Sequence, residues 1–317
     1  MKKFLSISDI PDLDKAIKNA LELKEDSMKF STLGKGKNLV MVFFNPSLRT
    51  RFSTKIAAQN LGLGITTLDV AQQTWPLEFG LNTIMDGHTS EHIKEAAMVL
   101  SSYFDLIAVR SFPQLKNRDI DLKDVVLKNF SKYATVPIIN MESATAHPLQ
   151  SFADAITIRE TKINNPKIVL SWAPHPKSIP HSVPNSFVKM CKQAGMNLVI
   201  ANPPGYDLDP TITSGIKVFH HQEESFENAD IIYSKNWSSY ESYGQVLPTD
   251  QNWMIDLAKM DLTNRAKFMH CLPVRRNVVV EDEVLDSEHS LIQRQVQNRT
   301  VAAQYVMHQI LTNVPTY

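Results

Sequence analysis

The chain has 317 residues, 43% hydrophobic and 21% charged, with a formal net charge of zero. That length supports a sizeable core and suggests two domains, while a balanced charge without a basic block excludes a non-specific nucleic-acid binder. Two cysteines, Cys191 and Cys271, offer neither a disulfide framework nor a zinc spacing, and no apolar run is long enough for a membrane span or a signal peptide, so a cytosolic globular protein is expected.

The first helix is predicted from about Pro11 to Lys24, capped by Ser8 or Asp9, with Leu13, Ile17 and Leu21 on one face. Leu39–Phe44 reads as a buried strand that breaks at Asn45-Pro46. Ser47-Leu48-Arg49-Thr50-Arg51 follows, then helical spacing at Phe52, Ile56 and Leu61, ending near Gly62. Free N–H groups and the positive dipole end at such a helix start favour an anion, and arginine adds bidentate donors suited to phosphate. The segment reads as a phosphate cradle or, alternatively, as a capped helix with surface arginines. It lacks the glycine spacing and lysine of a P-loop, so a nucleoside triphosphate is not implied.

Further along, Ile65–Val70 is a weak strand before a polar loop over 71–90, which holds Trp75 and Met85-Asp86-Gly87-His88. Ile93, Ala97 and Leu100 make a helical face, and strands are predicted at Asp105–Val109, leading to Arg110, and Val136–Asn140, leading to Glu142. A helix from about Pro148 to Ile158 precedes the punctuation Asn164-Asn165-Pro166. A second series of strands follows at Ile168–Trp172, Leu198–Ala201, Val218–Phe219, Ile231–Tyr233 and Lys267–Met269, with a helix over Val183–Ala194 and a terminal helix over Val296–Leu311. Strands alternating with helices argue for an α/β protein with parallel sheets. By the rule that sites form beyond the carboxyl ends of such strands, Ser47, Arg49, Thr50, Arg110, Glu142, Lys235 and His270-Cys271 should face one crevice. The ten glycines nowhere form G-x-G-x-x-G, which disfavours a dinucleotide-dependent oxidoreductase.

Four further segments sharpen the phosphate reading: Trp75-Pro76-Leu77-Glu78, His147-Pro148-Leu149-Gln150, His270-Cys271-Leu272-Pro273 and Arg299. Together with the Ser47–Arg51 segment, and in this order, they resemble the aspartate/ornithine transcarbamylase superfamily over essentially the whole chain. The resemblance implies two α/β domains, each with a central parallel sheet flanked by helices. A carbamoyl phosphate domain would span 1–150 and an acylornithine domain 151–295, with 296–317 a terminal helix returning to the first domain. It also implies a homotrimer in which Trp75 and the 71–90 loop complete the neighbour's site, and no metal or organic cofactor. Carbamoyl phosphate would be held by Ser47, Leu48, Arg49, Thr50, Trp75, Arg110, His147, Gln150, Cys271, Leu272 and Arg299. Of these, Arg110, His147, Thr50 and Cys271 would serve the chemistry.

The acceptor end departs from ordinary ornithine enzymes, whose Asp and Ser-Met-Gly hold a free α-amino group. This chain instead has Tyr233-Ser234-Lys235-Asn236-Trp237 and Tyr240-Glu241-Ser242-Tyr243-Gly244. A lysine repels an ammonium and suits a carboxylate or amide oxygen. The pattern is similar to the branch acting on N-acylornithines, where Glu142, His175, Lys235, Leu272 and Arg275 match acceptor positions. Acetyl-specific members of that branch carry a modified lysine at the Val279 position and a glutamate in the segment Asp86-Gly87-His88. The loss of both anions points to a succinyl group, with Arg275, Arg276, Lys177 or His88 as the cation for its carboxylate. An acetyl acceptor is the alternative, and a non-catalytic phosphometabolite-binding module is the reading from a different class.

Overall fold

Two all-parallel five-stranded sheets organise the chain, and the computed structural model describes residues 1–249 and 251–313. The first half runs through β1 (Lys3–Phe4), β2 (Asn38–Phe43), β3 (Gly64–Asp69), a small outlying pair β4 (Leu77–Glu78) and β5 (Glu91–His92), then β6 (Leu106–Arg110) and β7 (Ile138–Glu142). Its sheet has the order β1-β7-β6-β2-β3. The second half supplies β8 (Ile168–Ala173), β9 (Leu198–Ala201), β10 (Lys217–Phe219), β11 (Ile231–Asn236) and β12 (Lys267–Met269), ordered β10-β9-β8-β11-β12. Every residue of β6, β7, β8 and β11 is buried, as parallel strands covered on both faces require.

Each sheet reverses its winding once. From β2 the chain goes to β3 on one side and later to β6 on the other, and from β8 it goes to β9 on one side and later to β11 on the other. Crevices at such switch points, outside the carboxyl ends of the strands, are where open α/β sheets hold ligands. The first switch point is bounded by the Ser47 segment and Arg110. The second is bounded by the loop carrying His175 and by Lys235, which the structure places inside β11 rather than in the loop after it.

Capping chemistry moves several expected boundaries. Asp12, not Ser8 or Asp9, caps the first helix (Leu13–Glu25), accepting the Lys15 N–H at 2.9 Å. Asp9 is already taken by the Leu5 and Ser6 N–H groups in a separate 3₁₀ turn. A helix over Val125–Tyr133 went unread because its start signal is missing: Asp124 sits in the left-handed region at φ 49° and its side chain makes no cap. The terminal helix begins at Ile292, one turn before the expected Val296.

The largest correction concerns the helix Leu48–Asn60. Of its expected apolar face only Leu61, at the helix end, is buried: Phe52 and Ile56 are exposed, as is Leu48, while Thr50, Ser53, Thr54, Ala57 and Ala58 are buried. The terminal helix packs on that small-residue face, where short side chains let two helix axes approach closely. Only glycine fits the helix end at position 62, where φ is +79° and a Cβ would lie 2.2 Å from the Ser31 carbonyl oxygen.

Between the two sheets runs the helix Pro148–Glu160, buried from Pro148 to Ile158. It packs against both the terminal helix and the helix Ser182–Gln193. Being buried all round, it pairs its polar groups: Asn298 donates to Thr157 and Glu160, and Lys24 bonds both Glu160 and Asn298. Phe152 fills the seam with the terminal helix, its ring centroid 5.3 Å from that of Tyr305. Phe152→Ala should therefore lower the unfolding free energy by about 3–5 kcal/mol, read from chemical denaturation, through lost burial and an uncollapsed cavity.

Candidate active site

Ser47 ends the turn after β2 and caps the helix Leu48–Asn60, its hydroxyl accepting the Thr50 N–H at 3.3 Å. The N–H groups of Leu48 and Arg49 make no hydrogen bond among the described residues and lie at the positive end of the helix. Across the crevice, Arg110 from the end of β6 and Arg299 from the terminal helix each donate to Thr50 Oγ1 at 3.1 Å. With both guanidiniums donating into that oxygen, the Thr50 hydroxyl hydrogen is free for a third partner. His147, at the start of the helix Pro148–Glu160, places Nε2 3.4 Å from Arg299 Nη1 and 3.4 Å from Glu142 Oε2. Burial and the neighbouring cations Arg299, Arg110, Lys235 and Arg49 push the His147 pKa well below the usual imidazole range, so its ring is neutral. Gln150 Oε1 accepts from Arg299 Nη1 at 2.5 Å.

These side chains enclose a cavity of about 190 Å³ lined by Ser47, Arg49, Thr50, Arg110, Glu142, His147, Gln150, Lys235, Cys271, Leu272 and Arg299 together with Phe112, Ile179, Pro180, Val183 and Pro273. Four cations there face a single carboxylate. Glu142 is engaged on both oxygens, by Arg110 and by the Ser182 hydroxyl at 2.8 Å. The Arg49 guanidinium and the Lys235 ammonium have no hydrogen-bond partner among the described residues, and Lys235 is only 5% exposed. Burial lowers the Arg49 pKa and brings that of Arg299 down to about 10.

The structure sorts the remaining expected residues. His175 and Arg275 do not line the cavity but meet each other, with Arg275 Nε 3.2 Å from His175 Nε2. Lys177 stays exposed in the same loop. Arg276 is withdrawn from the role of a free cation: it bonds Asp282 at 2.7 Å and Asp286 at 2.6 and 2.7 Å, pairings that raise its pKa. Val279 is not among the residues lining the cavity. It is fully buried in the core, with its backbone bonded to Arg275 and Ile255. Trp75 and His88 lie outside this chain's cavity on the exposed 71–90 loop, where the Trp75 indole donates to Glu91 at 2.8 Å. Leu81, Ile84 and Met85 are exposed on that loop as well.

Leu272 takes φ +58°, a conformation that costs a non-glycine residue roughly 1–3 kcal/mol and clusters at functional sites. Behind it lies a polar layer missing from the sequence reading. Asp154, fully buried, accepts from Gln150 and Gln295, and desolvation pushes its carboxyl pKa up to about 6. The available signal was spacing: Asp154 stands one helical turn after Gln150, and Gln295 one turn before Arg299. Ser182 carried no such signal, since a serine at a helix start is ordinarily a cap.

Comparison with known proteins agrees with this geometry. Residues 2–160 match the carbamoyl-P binding domain of the aspartate/ornithine carbamoyltransferases, and residues 180–310 match their Asp/Orn binding domain. The chain is 46% identical to the N-succinylornithine carbamoyltransferase of Bacteroides fragilis (strain 638R), covering 99% of this chain and 100% of that protein. It is 37% identical to the N-acetylornithine carbamoyltransferase of Xanthomonas axonopodis pv. citri (strain 306), covering 97% and 96%. Among solved structures, acetylornithine transcarbamylase complexed with acetylcitrulline superposes with a TM-score of 0.93 at 36% identity, covering 100% of each chain. A glutamate-to-alanine mutant of N-acetyl-L-ornithine transcarbamylase, complexed with carbamyl phosphate and N-succinyl-L-norvaline, superposes at 0.91 with 37% identity, covering 98% of this chain and 100% of that one. Two domain models in sequence and relatives spanning nearly all of its length establish that the chain belongs to the aspartate/ornithine carbamoyltransferase family.

Proposed function

We propose that the chain transfers the carbamoyl group of carbamoyl phosphate to the δ-amine of N2-succinyl-L-ornithine, giving N-succinyl-L-citrulline and phosphate, in arginine biosynthesis. The observation that carries this reading is the cavity in which four cations surround one carboxylate, two of the cations having no hydrogen-bond partner among the described residues. A phosphoryl group brings about two negative charges to that deficit. Its oxygens fit the free N–H groups of Leu48 and Arg49, the Ser47 hydroxyl and the Arg49 guanidinium. Arg110, the Thr50 hydroxyl and His147 then face the carbamoyl oxygen.

The neutral δ-amine attacks the carbamoyl carbon. The carbonyl oxygen gains charge in the tetrahedral intermediate, and the C–O bond to phosphate breaks as the amine proton passes to the departing phosphate. Arg110, Thr50 and His147 stabilise the oxyanion, where removal of one donor typically costs about 3 kcal/mol of barrier. Cys271 and the Leu272 carbonyl orient the attacking nitrogen. Lys235 holds the α-carboxylate, Glu142 receives the acylated amide N–H, and Arg275 with His175 sits on the acyl side.

Succinyl over acetyl is supported by the 46% identity to a relative named for succinylornithine against 37% for one named for acetylornithine. The charge logic adds to it. The solved mutants that hold N-succinyl-L-norvaline have lost a glutamate, and this chain has no glutamate in Asp86-Gly87-His88. With Val279 in the core, selectivity rests on that loop and on Arg275 rather than on Val279. The reading extends to a cytoplasmic homotrimer: the exposed apolar loop with Trp75, Ile84 and Met85, and the exposed stripe Leu48, Phe52 and Ile56, suit burial between subunits.

A colorimetric citrulline assay with three acceptors tests the assignment. Succinylornithine should be turned over at least about tenfold better than acetylornithine, the selectivity that about 1.4 kcal/mol of differential binding supplies. Turnover confined to plain ornithine would overturn it. Lys235→Met should lower kcat/KM for succinylornithine by roughly 10–100-fold, the value of a charge-assisted hydrogen bond, while calorimetric binding of carbamoyl phosphate persists. His88→Glu should shift preference from the succinyl toward the acetyl substrate. An unchanged ratio would remove the loop from the acyl site.

A further inference from the structure

The helix Pro148–Glu160 and the terminal helix meet with matched spacing. One carries Gln150 and Asp154, the other Gln295 and Arg299, each pair a single turn apart. Asp154 Oδ1 accepts Gln150 Nε2 at 2.8 Å and Gln295 Nε2 at 2.9 Å. With their NH₂ groups committed to one carboxylate, both amides turn their oxygens away from it. Gln150 Oε1 receives Arg299 Nη1, and Gln295 Oε1 receives the His270 N–H at 2.9 Å. His270 Nδ1 accepts the Leu272 N–H at 2.9 Å, so the strap bearing Cys271 and Leu272 hangs from the same anchor.

The two ends of a glutamine amide are nearly equal in shape and opposite in hydrogen-bonding sense. A flipped Gln150 would set its NH₂ against the Arg299 guanidinium. A flipped Gln295 would oppose the His270 N–H. A buried acceptor between the two amides disfavours both flips, because either one would cost the carboxylate one of its two donors and set an amide oxygen against it.

We propose that Asp154 is a positioning residue, a single buried carboxylate that fixes the amide orientation of Gln150 and Gln295 and thereby holds Arg299 and the His270–Leu272 strap in one register. It does not line the cavity. The other groups facing it are Tyr233 from β11, Cys191 from the helix Ser182–Gln193 and Arg299. The Tyr233 hydroxyl lies beside the carboxyl, although neither it nor Asp154 Oδ2 makes a hydrogen bond of ordinary geometry. The inference rests on the transferase reading for the identity of the ligand and on the hydrogen-bond pattern for the role.

Three full-length variants test it. Asp154→Leu should lower kcat roughly 100-fold, the effect of misplacing reacting groups by about an ångström, and weaken calorimetric binding of inorganic phosphate. Asp154→Asn should recover most of both, since its oxygen still accepts from the two glutamines and its NH₂ faces the Tyr233 hydroxyl. Equal kcat in both variants, per molecule shown folded by circular dichroism, would reduce Asp154 to packing and overturn the proposal. Should Asp154→Leu fail to fold, Gln295→Glu decides. It keeps the acceptor for His270 but sets a second carboxyl against Asp154, so one of the two must hold a proton. Its activity should then fall as pH rises past neutrality, a limb the wild type lacks; an unchanged pH profile overturns the proposal. A wild-type chain inactive on every acceptor, yet binding phosphate in an Asp154-dependent way, would sink the transferase reading and leave the positioning role standing. An active wild type indifferent to all three changes would sink the positioning role alone.

Discussion

Positive charge gathered in a confined, partly desolvated space is unfavourable, and the crevice between the two sheets is built around that imbalance. Arg49, Arg110, Lys235 and Arg299 converge where Glu142 alone offsets them, and Glu142 is already shared with Ser182. Such an arrangement persists only because the surrounding fold over-determines it. The strands hold Arg110 and Lys235 from buried positions, and the seam of two helices holds Arg299. The fold thus stores an electrostatic deficit. The neutrality of His147 has the same setting: burial first, and then repulsion by the neighbouring cations, disfavours a charged ring, which serves as a dipole instead.

Which half supplies which group follows from winding. Both sheets change direction next to the crevice, so loops that diverge from the switch points leave an opening there. The first sheet sends the Ser47 segment and Arg110 from the ends of β2 and β6, and the second presents Lys235 from β11. The helix Pro148–Glu160 joins the two and contributes His147 and Gln150 from its first turn. Arg299, although distant in sequence, reaches the same cavity because the terminal helix lies against the helix Leu48–Asn60.

Much of this was legible in the residues. A strand core such as Leu198–Ala201 stands out because parallel strands tend to be continuous apolar runs between turns. The ordered motifs around Ser47, His147 and His270 carried the family and most of the cavity lining. What escaped depends on packing that no local pattern encodes. Phe52 and Ile56 have helical spacing, yet the small residues beside them are the buried face, because the partner is another helix rather than a sheet. Arg276 looks as available as Arg275 until Asp282 and Asp286 fold back onto it. Val279 reads as a substrate-facing position by family pattern but belongs to the core. Asp154 and Gln295 are polar residues whose purpose shows only when their partners are brought from the other helix.

The docking of the terminal helix also has a temporal side. Its residues are synthesised after those of both sheets, and domains generally form as the chain emerges. A nascent chain through β7 can shape the Ser47 helix start and Arg110 but has no Arg299 to share Thr50 and no Gln295 to suspend the His270 strap. The small-residue face of the helix Leu48–Asn60 stays uncovered until Ile292–Leu311 arrives. The cluster around Thr50 and the His270 strap therefore cannot be completed before Ile292–Leu311 has been made and has docked.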